Sequence, residues 1–257
     1  MIGNYFRPNS VDEAVMLLSE AEKDRRPLGG GTGLSRQQSE NFDVVDLQMA
    51  GLDGIEGNNQ GIDVGAMVRL GSLMVQPGVQ SEIKRAIRID ASENIRNMAT
   101  LGGWLVSSDG RSILTTGLLA LDAAMTWVPG STQVRLGDWL PVRGKNQPGL
   151  LLTTVAWQTG TQLVFEYVAR SPKDRPTMIV AVAQWGSGRT RVALGGFDQA
   201  PIIAMDGMGS SGVDIASRDA CFEADDQWAS AQYRREVAAK LALRCVKRLE
   251  ANQESEA

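Results

Sequence analysis

Hydrophobic and polar positions in the first fifty residues follow first a helical period and then a strand pattern. Ser10 and Glu13 have the spacing of a capping box, and apolar side chains recur at helical spacing after Ser10. We therefore predict a helix over about 11–22. Pro27 prevents any continuation of that helix. The apolar run FDVVDL at 42–47 predicts a short buried strand. Helix, glycine-rich connection and strand together predict an α/β unit.

The middle of the chain continues to mix the two periods. GIDVGAMVRL at 61–70 predicts a strand that breaks at Gly65, and SEIKRAIRIDAS at 81–92 predicts a helix. LLALDAAMTWV at 118–128 changes from helical to strand character, and PGLLLTTVAW at 148–157 predicts another strand. This order of elements again indicates α/β organisation.

The last third of the chain has a different pattern. Apolar runs at 162–170, 177–186 and 190–197 are separated by short polar turns, which predicts an antiparallel sheet. A long amphipathic stretch over 231–250 predicts a helix. The polar turn QTGTQ at 158–162 separates this region from the preceding strands, so we place a domain boundary there.

Composition limits the chemistry that this chain can perform by itself. The 257 residues are 43% hydrophobic and carry a formal charge of −4, which indicates a globular protein and argues against a nucleic-acid partner. There is no histidine, and the two cysteines, Cys221 and Cys245, are too few for a zinc or iron–sulfur site. We therefore expect no metal site and no catalytic acid, base or nucleophile in this chain. Any redox chemistry would require a cofactor.

The same composition bears on location. The N-terminus has no apolar signal region, and no apolar run reaches the roughly 18 residues of a membrane span. Reduced thiols are the expected state of the two cysteines. We therefore predict a cytoplasmic protein without a membrane span.

Two glycine-bearing stretches are the candidate binding elements. RPLGGGTGLSR at 26–36 holds four glycines within five positions, yet Leu34 stands where a P-loop has lysine and where the Rossmann fingerprint has its third glycine. Backbone that lacks Cβ atoms can cradle a phosphate or simply turn the chain, and both interpretations remain open. NIRNMATLGGWLVSSDGRS at 94–112 is predicted to be a second glycine-bearing loop, rich in hydroxyls.

These motifs occur in the order found in one family. YFRPNSVDEAVMLLSE, RPLGGGTGL, FDVVDL, NIRNMATLGGWL, RVALGGFDQAP and SAQYRREVAAKLALRCVKRL together span nearly the whole chain. In this order the sequence resembles the FAD-binding medium subunit of the molybdenum hydroxylases, the family of the carbon monoxide dehydrogenase and xanthine dehydrogenase flavoproteins.

The resemblance implies an α+β fold. A PCMH-type FAD-binding domain of two α/β subdomains would cover 1–160, with the subdomains at about 1–57 and 58–160. A domain like the C-terminal domain of the carbon monoxide dehydrogenase flavoprotein, an antiparallel sheet with helices, would cover 161–257.

The resemblance also implies the cofactor and its site. FAD would be held by backbone N–H groups of both glycine loops and by hydroxyls of the second. Carried over by position, the implied cofactor-binding residues are Pro27, Leu28, Gly29, Gly30, Gly31, Thr32, Gly33, Leu34, Thr100, Leu101, Gly102, Gly103, Trp104, Ser107 and Ser108. We interpret three other tryptophans as core or interface residues, namely Trp127, Trp139 and Trp157.

The implied function is that of a flavoprotein subunit, incomplete as an enzyme when alone. A small iron–sulfur subunit with [2Fe-2S] clusters and a large subunit with a molybdenum cofactor would be its partners, and its FAD would pass electrons to an external acceptor. An alternative is a paralogue that has lost FAD and acts as a structural or assembly subunit. Trp104, Ile113 and Gly33 motivate it, because they depart from the family pattern. A free-standing flavoenzyme is a third hypothesis, disfavoured by the lack of an acid–base set.

Overall fold

The computed structural model describes residues 2–20, 23–34, 41–57, 60–145 and 148–256. In chain order its elements are β1 (Ile2–Phe6), α1 (Val11–Leu18), β2 (Arg25–Leu28), β3 (Phe42–Asp46), β4 (Ile55–Gly57), β5 (Ile62–Gly65), α2 (Leu70–Leu73), α3 (Ser81–Asp90), α4 (Glu93–Met98), α5 (Leu101–Ser107), α6 (Ile113–Ala120), β6 (Ala124–Val128), β7 (Thr132–Arg135), α7 (Leu136–Trp139), β8 (Leu151–Trp157), β9 (Gln162–Val168), β10 (Met178–Gln184), β11 (Arg189–Gly195), β12 (Ile202–Met208), α8 (Val213–Asp219) and α9 (Ala231–Glu256). The fold is α+β.

These elements form two compact units that are discontinuous in sequence. The first unit consists of Met1–Gly78, Ala91–Ser107 and Ala124–Ala156, and the second unit consists of Val79–Asp90, Ser108–Ala123 and Trp157–Ala257. The helices α3 and α6 thus belong to the second unit. The division into family domains at residue 160, with subdomains at 1–57 and 58–160, stays a prediction.

The first unit begins with a parallel sheet in the order β1-β3-β2. The predicted helix over 11–22 begins as expected, because Oγ of Ser10 accepts the N–H of Glu13 at 3.2 Å. The helix ends earlier, at Leu18, where the hydroxyl of Ser19 donates to the carbonyl of Met16. Residues 21–22 of the prediction lie outside the described residues.

A second sheet of the first unit has the order β4-β5-β8-β6-β7. The strand predicted at 61–70 ends at Gly65 as expected. Glycine is required at this position, because a Cβ atom would overlap the carbonyl oxygen of Leu52. The strands predicted within 118–128 and 148–157 are confirmed as β6 and β8, which pair antiparallel.

The second glycine-bearing stretch is helical, so the loop predicted over 94–112 is wrong for most of its length. It forms α4 and α5, separated by Ala99 and Thr100. Thr100 acts as the N-cap of α5, because its Oγ1 accepts the N–H of Gly103 and its carbonyl accepts that of Trp104. A Cβ on Gly102 would lie 2.7 Å from Cβ of Ala66, so tertiary packing requires glycine within a helix there.

The second unit contains an antiparallel sheet in the order β12-β11-β10-β9. The three predicted strands are confirmed, and β12 is an additional edge strand. One face of the sheet packs on α9 through a valine-rich core that includes Val180, Val192, Leu241 and Cys245, and α6 packs on the other face. The helix predicted over 231–250 extends to Glu256.

Buried polar groups fix the start of α9. The guanidinium of Arg234 is fully buried and donates to the carbonyls of Thr177 and Ala224 and to the carboxylate of Asp226. Both cysteines are buried free thiols, as expected. Within the described part of the chain, no helix combines the length and apolarity needed to cross a bilayer.

Candidate functional site

The first glycine segment, residues 29–34, follows β2 at the carboxyl end of the parallel sheet of the first unit. A Cβ atom on Gly30 would overlap the carbonyl oxygen of Met98, so only glycine allows the segment to approach this backbone. Gly31 has a φ of 73°, a conformation that favours glycine. Ligands of open α/β sheets bind at this end of the strands, so the segment is placed where a ligand is expected.

Some backbone N–H groups of this segment have no acceptor among the described residues, and we call these amides open. Among the residues that the structure describes, none accepts a hydrogen bond from the N–H of Gly30, Thr32 or Gly33. All three residues are half-buried. Thr32 and Gly33 are adjacent in the chain, and neighbouring backbone N–H groups can bind an anion. The first glycine segment therefore offers candidate anion-binding donors.

The second glycine segment, residues 100–104, differs in this respect. Each of its amides from 101 to 104 donates within the protein: Leu101 to the carbonyl of Val68 (2.9 Å), Gly102 to that of Ala66 (2.9 Å), Gly103 to Oγ1 of Thr100 (3.2 Å) and Trp104 to the carbonyl of Thr100 (2.8 Å). These four amides are thus occupied, contrary to the expectation from the sequence. The cause is the helical conformation with its Thr100 cap.

Both segments line one cavity of about 450 Å³, which lies wholly within the first unit. This volume is in the range of small-molecule sites. Of the residues implied by the family resemblance, those that line the cavity are Pro27, Gly29, Gly30, Gly31, Thr32, Gly33, Leu34, Thr100, Gly102, Gly103 and Ser107.

Four implied residues are placed elsewhere. Leu28 ends β2, Leu101 is fully buried, and Trp104 is half-buried on α5; none of the three is among the described lining residues. Ser108 belongs to the second unit, where its hydroxyl lies 2.8 Å from Oγ1 of Thr115. Trp104 therefore does not fill this cavity.

The remaining cavity wall is mostly apolar and was not predicted as part of the site. It consists of Leu47, Ala66, Met67, Val106, Trp127, Gly149, Leu150, Leu151 and Leu152. No ionisable side chain lines the cavity within the described residues. The apolar runs around Trp127 and Leu151 were visible in the sequence, but they indicated only strands.

The other two departures from the family pattern are also placed. Gly33 lines the cavity, and a Cβ there would lie 3.5 Å from Cβ of Ser107, an ordinary van der Waals distance. Ile113 is fully buried in the first turn of α6, and its N–H donates to the carboxylate of Asp90. Of the three departures, only Gly33 lines the cavity.

Comparison with known proteins shows the family. The family described as "FAD binding domain in molybdopterin dehydrogenase" matches residues 1–156. The chain is 25% identical over 243 residues to the uncharacterized protein YgfM of Escherichia coli K12, covering 92% of each. It is 27% identical over 222 residues to the glyceraldehyde dehydrogenase medium chain of Sulfolobus acidocaldarius, covering 79% of this chain and 78% of that one.

A solved structure shows the same fold. Reconstituted carbon monoxide dehydrogenase from Oligotropha carboxidovorans has a chain that superposes with a TM-score of 0.81 at 26% identity, covering 98% of this chain and 99% of that chain. The protein thus belongs to the family of FAD-binding domains in molybdopterin dehydrogenases. It is a flavoprotein subunit of the oxidoreductases of the molybdenum hydroxylase family, and FAD is its cofactor.

The cavity residues fit such a cofactor. Open amides at Gly30, Thr32 and Gly33 suit a pyrophosphate, and Thr100 adds a hydroxyl to the cavity wall, whereas the hydroxyl of Ser107 donates to the carbonyl of Gly103 at 2.7 Å. The apolar wall suits a flat heterocycle. No ionisable side chain lines the cavity within the described residues. Backbone N–H dipoles would therefore stabilise the negative charge of the phosphates there.

Proposed function

We propose that this chain is the electron-transferring flavoprotein subunit of a molybdenum-containing oxidoreductase, with FAD bound in the cavity of the first unit. FAD, when bound, supplies the ability to accept electrons from one partner and deliver them to another. The observation that carries the proposal is that the amides of Gly30, Thr32 and Gly33 have no acceptor among the described residues, at a cavity within the family's FAD-binding domain.

The chain's own residues would bind and orient the cofactor. The amides of Gly30, Thr32 and Gly33 would donate to the pyrophosphate, and the hydroxyl of Thr100 would lie beside it. Pro27 and Leu34 frame the ends of this loop. Four other implied glycines line the cavity, and their lack of a Cβ would let the backbone approach the cofactor closely. They are Gly29, Gly31, Gly102 and Gly103.

The apolar wall would hold a ring of the cofactor and exclude water. Val106 and Leu150 are exposed to 43% and 42% and line the cavity, so a bound ring would cover them. Met67 lies close to Gly29 on the same wall. No side chain of this chain is proposed as a catalytic acid or base.

The names of the relatives support the proposal of partner subunits. The matched glyceraldehyde dehydrogenase and carbon monoxide dehydrogenase proteins are medium chains, which denotes multi-subunit complexes. We propose a small partner with [2Fe-2S] clusters as electron donor and a large partner with the molybdenum cofactor as the site of substrate oxidation. The chain would be incomplete as an enzyme alone and would act in the cytoplasm.

A second candidate function has a specific observation in its favour. The amides of residues 101–104 are all occupied, so one of the two expected sets of donors is closed. A paralogue that has lost FAD and serves as a structural or assembly subunit would not need these amides as donors. The open first glycine segment and the retained cavity favour the flavoprotein instead.

The test is the flavin content of the purified full chain. We expect visible flavin absorption and close to one FAD per chain on acid release, or stoichiometric uptake of added FAD. A colourless chain that takes up no FAD would contradict the proposal and support the second function. Co-purification with an iron–sulfur and a molybdenum subunit, with reduction of the bound FAD by substrate of the complex, would test the electron route.

A further inference from the structure

A second cavity, of about 380 Å³, lies wholly within the second unit. Its walls are formed by the end of β9 and by the segment that leads into α9. Three large side chains line it and are exposed, namely Arg170, Trp228 and Tyr233. The volume is in the range of small-molecule sites, and the proposed function uses none of these residues.

The described lining of this cavity supplies hydrogen-bond donors and contains no carboxylate. Arg170 is its one charged side chain, and only Nη2 of that guanidinium donates within the described structure, to the carbonyl of Trp228 at 3.2 Å. The hydroxyl of Tyr233 has no hydrogen-bond partner among the same residues. Val168 and Ala169 add apolar surface to the wall. The cavity can therefore donate to an anion and contact an apolar group.

The two guanidiniums around Trp228 have no carboxylate as hydrogen-bond partner. The guanidinium carbons of Arg111 and Arg170 lie 4.7 and 5.5 Å from the centroid of the Trp228 ring. In the part of the chain that the structure describes, both guanidiniums donate only to backbone carbonyls. The chain as a whole has a formal charge of −4, so this is a local excess of positive charge, which attracts anions.

The carboxylates near these arginines are already paired, and one of them fixes the cavity wall. Asp109 forms an ion pair with Arg175, and Asp226 forms one with the buried Arg234. Asp226 also accepts the backbone N–H of Trp228 at 2.7 Å. The segment before α9 is thus held in place by the protein itself, and a preformed wall reduces the free-energy cost of binding.

We propose that this cavity is a second ligand site, which binds a small organic monoanion with a carboxylate on a flat apolar group. Arg170 and the hydroxyl of Tyr233 would donate to the carboxylate, since a guanidinium and a carboxylate form strong charge-assisted hydrogen bonds. The flat group would contact the ring of Trp228 and the side chain of Val168. One lining cation matches a monoanion better than a phosphate dianion. The inference goes beyond the proposed function, because it requires neither FAD nor a partner subunit.

The test measures the binding of benzoate to the full chain by isothermal titration calorimetry, with and without added FAD. Benzoate carries a carboxylate on a flat ring, benzamide keeps the ring without the charge, and acetate keeps the charge without the ring. We expect one benzoate per chain, with the same Kd in the presence and absence of FAD. Benzamide and acetate should each bind at least about tenfold more weakly than benzoate.

Three variants locate the bound anion. Arg170→Gln removes the charge of the lining and should weaken benzoate binding about tenfold. Tyr233→Phe keeps the ring, removes the hydroxyl and should weaken it about fivefold. Arg218→Gln is the matched control, because Arg218 is an exposed arginine of α8 in the same unit and outside the described lining. It removes the same charge and should leave the Kd for benzoate unchanged. Melting temperatures verify that each variant is folded.

Several results would overturn the inference. Absence of saturable benzoate binding to the folded wild type would reject the site and leave the proposed function untouched. Equal weakening by Arg170→Gln and Arg218→Gln would reduce the effect to a general attraction of anions. Competition between benzoate and FAD would place benzoate in the cavity of the first unit instead. Acetate that binds as tightly as benzoate would contradict the apolar part of the site.

Discussion

The two glycine segments of the first unit look alike in sequence and differ in the state of their amides. The first, residues 29–34, follows a strand and keeps the N–H groups of Gly30, Thr32 and Gly33 open within the described structure. The second, residues 100–104, begins a helix and has its amides from 101 to 104 bonded inside the protein. Glycine content alone therefore does not identify an anion site, because the hydrogen-bond partners of the amides decide.

The glycines themselves serve packing in both segments. Gly30 approaches the backbone of Met98, and Gly102 approaches Ala66, and neither approach leaves room for a Cβ. Close packing thus places the first segment beside the second and shapes the cavity that both line. Substitutions that separate packing from donation are the sharpest tests of this comparison.

The largest effect is expected for Gly30→Ala. Its Cβ would overlap the carbonyl oxygen of Met98, so the first segment must move, and we expect a stability loss of about 3 kcal/mol with loss of FAD binding. Chemical denaturation of the deflavinated chain and FAD titration measure the two effects. Gly33→Ala is the control, since its Cβ has room, and its stability should stay within about 0.5 kcal/mol of wild type. Equal behaviour of the two variants would contradict the packing argument.

A substitution in the second unit should change stability without changing binding. Asp206 accepts hydrogen bonds from Arg189 and Arg191, which lower the pKa of its carboxyl from 3.8 to about 2. We expect Asp206→Asn to cost about 2 kcal/mol near neutral pH and to leave the Kd for FAD unchanged.

The pH dependence of that variant has a defined sign. Because the folded-state pKa of Asp206 is lowered, its contribution is present above about pH 4 and is lost as the pH falls towards 2. The stability difference between wild type and Asp206→Asn, followed by denaturation from pH 7 downwards, should therefore shrink below pH 4. A difference that stays constant would reject the ion-pair explanation.

A smaller effect is expected at the cap of the second segment. Thr100→Val keeps the shape of the side chain and removes the hydroxyl that accepts the N–H of Gly103. Loss of this cap should cost about 1 kcal/mol of unfolding free energy, and Thr100→Ser should retain most of the stability. If Thr100→Val were as stable as wild type, the occupied state of the Gly103 amide would be in doubt.

The sheet of the second unit was predictable because its sequence shows the strands directly. Runs such as MIVAVAQ of β10 are apolar, rich in β-branched residues and bounded by polar turns, and helices cover both faces of the sheet. Local pattern and tertiary packing agree there. The extra strand β12 was missed because its residues, which include Asp206 and Gly207, break the apolar pattern.

The second glycine segment could not be predicted for the opposite reason. Two adjacent glycines lower helix propensity by about 1 kcal/mol each, so the local sequence favours a loop. The Thr100 cap was a visible signal, whereas the contact of Gly102 with Ala66 connects residues far apart in sequence. Tertiary packing overrode the local preference.

The cavity wall was the least predictable part of the site. Trp127 was interpreted as a core or interface residue and Leu151 lay in a predicted strand; both are buried, and both also line the cavity. An apolar pattern shows that a strand face is covered and does not show whether protein or cofactor covers it. The family resemblance supplied the cofactor, and the structure supplied the wall.

The most direct test of the account is amide hydrogen exchange of the full chain with and without FAD. In the first glycine segment, the amides of Gly30, Thr32 and Gly33 should exchange fast without FAD and become protected when FAD is added. Residues 101–104 should be protected in both states, because their amides are already bonded. New protection confined to 101–104, with residues 29–34 unchanged, would contradict the assignment of the pyrophosphate donors to the first segment.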